Sequence, residues 1–167
     1  MIEDIIAQSQ TIVDSLTDRQ GTVALSALRT IYDHPDGPGP FAQLLGMNFE
    51  EMEDGRSIVS LKVNEHHLNP HGIAHGGVTF SLADSACGGA AVSAIGEPRV
   101  VTQDMLIRYH GPARPGKITA SARVIHHGQR TITVDCQVNQ EQILVASVTA
   151  TFAILSDSEL LAFSSSD

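Results

Sequence analysis

Asn69, His75, Gly76, Gly77 and Asp84 are the residues whose types and spacing could carry chemistry. Two glycines ahead of an apolar run mark the mouth of a helix. The first amides of a helix have no partner inside it, and the helix dipole adds partial positive charge there. Such a turn suits an oxyanion or a polarised carbonyl, and glycine lets a ligand approach the backbone closely. A tight turn into a helix, with no ligand, is the other reading of the same residues. Asp84 follows among Leu82, Ala83, Ala86 and Cys87. A carboxylate in apolar company is costly unless it has a partner or a task. The task would be that of a general base or a nucleophile. The alternative is a structural carboxylate bonded to a loop or to a partner subunit.

Spacing adds a constraint. Seven or eight residues of helix, at about 1.5 Å each, put roughly 10–12 Å between the glycines and Asp84. One chain cannot easily bring both to the same carbonyl carbon. Two antiparallel helices across a two-fold axis can, which predicts a homodimer with two shared sites.

Other chemistries fit less well. His66, His67, His71 and His75 raise the question of a metal. Pro70 and Gly72 break any helix that would align them, and no regularly spaced acid or cysteine stands nearby, so no metal site is expected. There is no Gly-x-Ser-x-Gly elbow and no nucleotide-type phosphate loop. Cys87 has no evident activating base. The two cysteines, Cys87 and Cys136, read as small hydrophobes rather than a disulfide framework.

The elements that must position these residues follow from pattern. Residues 2–33 read as helical, with Ile5, Ile6, Ile12, Val13 and Leu16 as an apolar stripe. Thr17 and Gln20 make a capping box for a second helix. Residues 34–40, with three prolines and two glycines, are a break. Met47–Glu53 and Ser57–Val63 read as strands joined at Asp54-Gly55. Val78–Ile95 reads as a helix, its small residues suited to a sheet that curls closely around it. Val100–Tyr109, Ile118–His126, Thr131–Asn139 and Leu144–Ile154 read as four more strands, the last two with strict apolar alternation. The expected order is β-β-α-β-β-β-β, an α+β fold with an antiparallel sheet around one helix. Residues 1–40 are expected to form a helical extension, 41–157 the main domain and 158–167 a tail, with Ser164–Asp167 disordered.

Charge is uneven. The whole chain carries a net charge of −9, which disfavours nucleic acid and anionic membranes. Residues 99–130 nevertheless hold six bases (Arg99, Arg108, Arg114, Lys117, Arg123, Arg130) against Asp104 alone. This island is either incidental salt bridging or a site for an anionic ligand such as a phosphorylated cofactor. Gly76–Ile95 is the most membrane-like window, but its Asp84, glycines and hydroxyls argue against a span. The start, Met1-Ile2-Glu3-Asp4, lacks a basic, apolar leader, and a cytoplasmic location is expected.

The pattern Asn69-x5-His75-Gly76-Gly77-x6-Asp84 resembles the signature of the PaaI-like thioesterases of the hotdog-fold superfamily, over roughly residues 41–155. The resemblance implies hydrolysis of acyl-CoA with no cofactor beyond the CoA of the substrate. It implies that Gly76, helped by Gly77, polarises the thioester carbonyl. Asp84 would activate water or attack directly. Asn69 would position water or thioester, and His75 would orient the loop or touch the thioester. Thr102 would stand near the attacking water. The turn His127-Gly128-Gln129-Arg130 resembles one whose basic residue meets CoA phosphate, so Gly128 and Arg130, with His126 and Arg123 beside them, are the expected substrate contacts. A dimer, or a pair of dimers, is the expected assembly. Two other readings stay open: a hydratase or dehydratase of acyl thioesters using His71 or His75, and an acyl-CoA-binding module without catalysis.

Overall fold

A computed structural model describes residues 2–35 and 38–164. The expected disorder at the end of the tail, beyond Ser164, lies outside them, as do Asp36 and Gly37 of the proline-rich break. The chain opens with α1 (Ile2–Ser15) and α2 (Asp18–Asp33). The Thr17–Gln20 capping box forms at the start of α2, with both reciprocal hydrogen bonds present. A short helix, α3 (Pro40–Leu45), follows the break, with Pro40 in its first turn and Gly46 in the left-handed region at its end. Pattern reading did not resolve it, because six residues are too few to show a helical period.

Six antiparallel strands follow: β1 (Asn48–Glu53), β2 (Arg56–Val63), β3 (Val100–Tyr109), β4 (Gly116–His127), β5 (Thr131–Gln140) and β6 (Ile143–Ile154). They form one sheet in the order β1-β2-β4-β5-β6-β3. Asp54 and Gly55 both have positive φ (46° and 73°), the backbone of a tight two-residue hairpin turn. Between β2 and β3 runs α4 (Gly76–Ile95), against which β2, β4 and β5 pack. Its inner face, Leu82, Ala83, Ala86, Cys87, Ala90 and Ala91, is wholly buried. Facing it, Val59, Ile118, Ala120, Ile132, Val134 and Ala146 alternate inward from the strands and are buried too. The fold is a hotdog, a sheet wrapped on one helix.

Small residues in α4 follow from that closeness. A Cβ on Gly89 would stand 2.7 Å from Ser57 Oγ. The helix tolerates a glycine worth about 1 kcal/mol less than alanine because the sheet leaves no space for a methyl group. Gly88 is different: a Cβ there would meet only Phe152, at an ordinary 3.7 Å. α4 is long and apolar enough to cross a bilayer, but half of that window is buried inside this chain. The chain then closes with α5 (Asp157–Ser164), so the segment expected as a tail begins as a helix. Arg99 anchors its first residue through an ion pair with Asp157 at 2.9 Å.

Candidate active site

The loop ahead of α4 is pinned on two sides. Asn69 N–H donates to Ile73 O (2.8 Å) and Gly72 N–H to Asn69 O (3.0 Å), closing a turn in which Gly72 has φ +72°. Asn69 Oδ1 accepts from His71 N–H at 2.8 Å. That side chain therefore stiffens its own turn. His75 N–H donates to His67 O and Ala74 N–H to Ala113 O, each at 2.8 Å. His67 is buried, and burial followed by the neighbouring His66 ring pushes its pKa down to about 4. It serves as neutral packing under the loop. His66 meets Ser26 Oγ of α2 at 2.9 Å.

α4 starts two residues earlier than its apolar pattern indicates, at Gly76, with His75 as N-cap. His75 Nδ1 accepts the Gly77 amide at 3.0 Å, so a neutral His75 ring carries its proton on Nε2. Val78 N–H returns to His75 O. The Gly76 amide has no acceptor within the described residues. Sequence reading paired the two glycine amides; in the structure the cap occupies Gly77 and leaves Gly76 as the free donor. Tyr109, at the end of β3, donates its hydroxyl to Gly76 O at 2.8 Å. Asn69, Ile73, Gly76, Thr79, Tyr109 and Pro112 line a cavity of about 440 Å³ beside this turn.

Asp84 lies eight residues further along the helix, about 12 Å away by helix rise. It is half-buried on the flank of α4 rather than inside the apolar stripe, because the buried face runs through positions 83, 86 and 87. Thr102 of β3 donates to Asp84 Oδ1 at 2.9 Å. The ladder of β3 on β6 shifts register between Thr102 and Asp104, a bulge beside this contact. Cys87 is buried one helical turn on. The adjacent Cys136 thiol, and then burial, hold its pKa well above the ordinary thiol range, which disfavours the reactive thiolate.

The basic turn sits at the same end of the sheet. Thr102, Phe152 and Ile132 are neighbours across β3, β6 and β5. Arg130, two residues before Ile132, is thus about 10 Å across and about 7 Å along from Thr102. Gly128 N–H closes the turn onto Thr131 O. A Cβ on Gly128 would come within 3.3 Å of both that carbonyl and His126 Nε2. Arg130 is exposed, and its charge is among the influences that lower the pKa of Glu159 on α5, where the Ser156 hydroxyl contributes most. Arg123 is not part of this group. Ala122 faces α4, so Arg123 points from the opposite face of the sheet into a trough of about 690 Å³ with Arg56, Arg108 and Asp135. Proximity in sequence suggested Arg123, and strand alternation places it on the other face of the sheet from α4.

Thus the structure joins Asn69, His75, Gly76 and Gly77 in one cluster, and Asp84 and Thr102 in another. His126, Gly128 and Arg130 form a corner near the second. Tyr109 was missed because nothing in its local sequence ties it to residue 76.

Comparison with known proteins identifies the family and the fold. Residues 71–147 match the family described as the thioesterase superfamily. The chain is 36% identical over 114 residues to acyl-coenzyme A thioesterase PaaI of Escherichia coli, covering 63% of this chain and 75% of that protein. The phenylacetic acid degradation protein PaaI of Thermus thermophilus superposes with a TM-score of 0.66 at 33% identity, over 70% of this chain and all of the other. A hypothetical thioesterase of Streptococcus pneumoniae, solved with coenzyme A, superposes with a TM-score of 0.61 at 29% identity, over 66% of this chain and 89% of the other.

Proposed function

Because the chain belongs to the thioesterase superfamily, as a PaaI-like member with the hotdog fold, we propose that it hydrolyses acyl-CoA thioesters at a site completed between two subunits. The observation that carries the reading is the separation of a free helix-start amide at Gly76 from the Asp84–Thr102 pair on the same helix. Across a two-fold axis, Gly76 of one chain and Asp84 of the other meet one thioester. The Gly76 amide holds the carbonyl oxygen and stabilises the oxyanion as it forms. Asp84 deprotonates a water, or attacks the carbonyl carbon itself, with Thr102 fixing the orientation of the carboxylate. When water attacks, collapse of the tetrahedral intermediate expels the CoA thiolate and leaves the free acid; when Asp84 attacks, the same collapse leaves an acyl–Asp84 anhydride, which water then hydrolyses to release the acid and regenerate the carboxylate. The chemistry draws on an amide and a carboxylate, and its cofactor, coenzyme A, arrives with the substrate.

The dimer reading rests on β3. It is an edge strand of ten residues, most of them exposed. Such an edge is a template for pairing with another strand. Val101 and Leu106, together with Phe80 on α4, leave apolar surface beside it. Antiparallel pairing of β3 with its copy sets two α4 helices side by side in opposite directions, as the shared site requires. Leu106, 53% exposed, is a suitable probe. Leu106→Lys is expected to yield folded monomers by sedimentation velocity, with loss of turnover; an unchanged dimer would contradict this interface.

Arg130 is assigned to the CoA phosphates. Arg130→Ala should raise KM for acyl-CoA about tenfold, the worth of one charge-assisted contact, with kcat little changed. The same kinetics in added salt should narrow the gap between the two proteins, because screening weakens the contact.

The deciding experiment is thiol release by the purified protein from a panel of aryl-, short- and medium-chain acyl-CoAs. Turnover of at least one class is expected. Tight binding of CoA esters with no thiol released from any of them would overturn the hydrolase reading.

A further inference from the structure

We infer that Tyr109 is a positioning residue for the Gly76 donor: its hydroxyl and His75 clamp the Gly76–Gly77 peptide from both ends. The inference rests on the hydrolase reading for its kinetic consequence, but its geometry stands independently. The peptide unit between these residues carries Gly76 O and the Gly77 N–H. Tyr109 Oη donates to the oxygen at 2.8 Å. His75 Nδ1 accepts from the N–H at 3.0 Å. One plane is therefore held at both of its polar ends, by side chains from two different elements.

The clamp has a physical reason. Consecutive glycines have more backbone freedom than any other pair, and the first turn of a helix frays most easily. The Gly76 N–H lies in the preceding peptide plane, with His75 O, and is joined to the clamped plane through the φ and ψ of Gly76. With the preceding plane held by Val78 N–H on His75 O and the following one by the clamp, the φ and ψ of Gly76 that join them are restricted before substrate arrives, which is what an oxyanion donor needs. Packing agrees with the hydrogen bonds. A Cβ on residue 76 would stand 3.2 Å from Tyr109 Oη, so the phenol closes on the bare backbone. The phenol is a donor at neutral pH, as a tyrosine ordinarily is, and burial shifts its pKa further in that direction. Tyr109 also lines the cavity that Asn69 and Gly76 share. Its position at the end of the edge strand β3 links the clamp to the strand that carries Thr102. The same strand thus serves both half-sites.

Tyr109→Phe removes one oxygen atom and leaves the ring in place. Two readouts test it. In kinetics with the best acyl-CoA, kcat should fall about tenfold while KM stays within about twofold, since the lost term acts on the oxyanion rather than on CoA binding. A kcat within twofold of the parent, or a loss carried entirely by KM, would overturn the inference. In nitrogen-15 relaxation, the Gly76 and Gly77 amides should lose order in the Tyr109→Phe protein, while α4 beyond its first turn stays unchanged. Equal order at both glycines in the two proteins would also overturn it. The second readout needs no turnover. If the parent protein released no thiol from any acyl-CoA, yet the glycines loosened on substitution, the hydrolase reading would fall and the clamp would stand.

Discussion

Replacing Asp84 by asparagine is expected to lower kcat for acyl-CoA hydrolysis by about a thousandfold, or about 4 kcal/mol of transition-state stabilisation. Asparagine is the informative choice. It keeps the shape of the side chain and an oxygen that can accept from Thr102, so the 2.9 Å contact to β3 can persist. What disappears is the negative charge and the capacity to take a proton or attack a carbonyl. KM and CoA binding should change little, because the proposed phosphate contact, Arg130, is a separate side chain from the carboxylate. Removing an interaction made only in the transition state lowers kcat and kcat/KM together. Measurement needs steady-state kinetics together with a thermal melt that shows the fold intact. A folded variant with full turnover would exclude Asp84 as base or nucleophile. The fold should accept either residue there, because the carboxylate is on the helix flank, half-buried, and displaces no core side chain.

Much of this architecture is legible in the sequence because the core is regular. Ile132, Val134, Cys136 and Val138 alternate strictly, and all four face α4. Asp54-Gly55 announces its turn, since both residues adopt positive φ there. Thr17 and Gln20 announce the start of α2 in the same local way. What escapes sequence reading depends on side-chain direction. Whether Gly77 offers a free amide depends on the rotamer of His75, which turns its ring back onto that amide. Which face of the sheet carries Arg123 depends on one step of strand alternation, and it lies opposite α4. Tyr109 reaches Gly76 across 33 positions of chain, a contact that exists only once β3 lies beside the helix start. The apolar stripe of α1 shows the opposite limit. Ile5, Ile6, Ile12 and Val13 form the face their spacing indicates, yet each is more than half exposed. Periodicity identifies a helix, but not what it packs against.

The shared site makes a sharper demand, which Gly76→Pro can test. Proline removes the one amide assigned to the thioester carbonyl, and the local backbone suits it. Residue 76 is the first of the helix, where proline is favoured. His75 has φ −58° and ψ 139°, the extended conformation that a residue before proline prefers. Losing an oxyanion donor should lower kcat by about a hundredfold to a thousandfold. The ring would also crowd Tyr109 Oη, so Gly76→Ala serves as the control. Alanine adds the same Cβ but keeps the N–H, and its loss should be much smaller. Co-expression of Gly76→Pro and Asp84→Asn chains under two affinity tags then isolates mixed dimers. Each parent dimer has two damaged sites. A mixed dimer joins the intact Gly76 of one chain to the intact Asp84 of the other at one site, and concentrates both lesions at the second. It should therefore recover about half the wild-type rate per dimer. If each site lay within one chain, every site in the mixed dimer would carry one lesion and no recovery would occur. The roughly 12 Å that helix rise puts between Gly76 and Asp84 makes recovery the expected result.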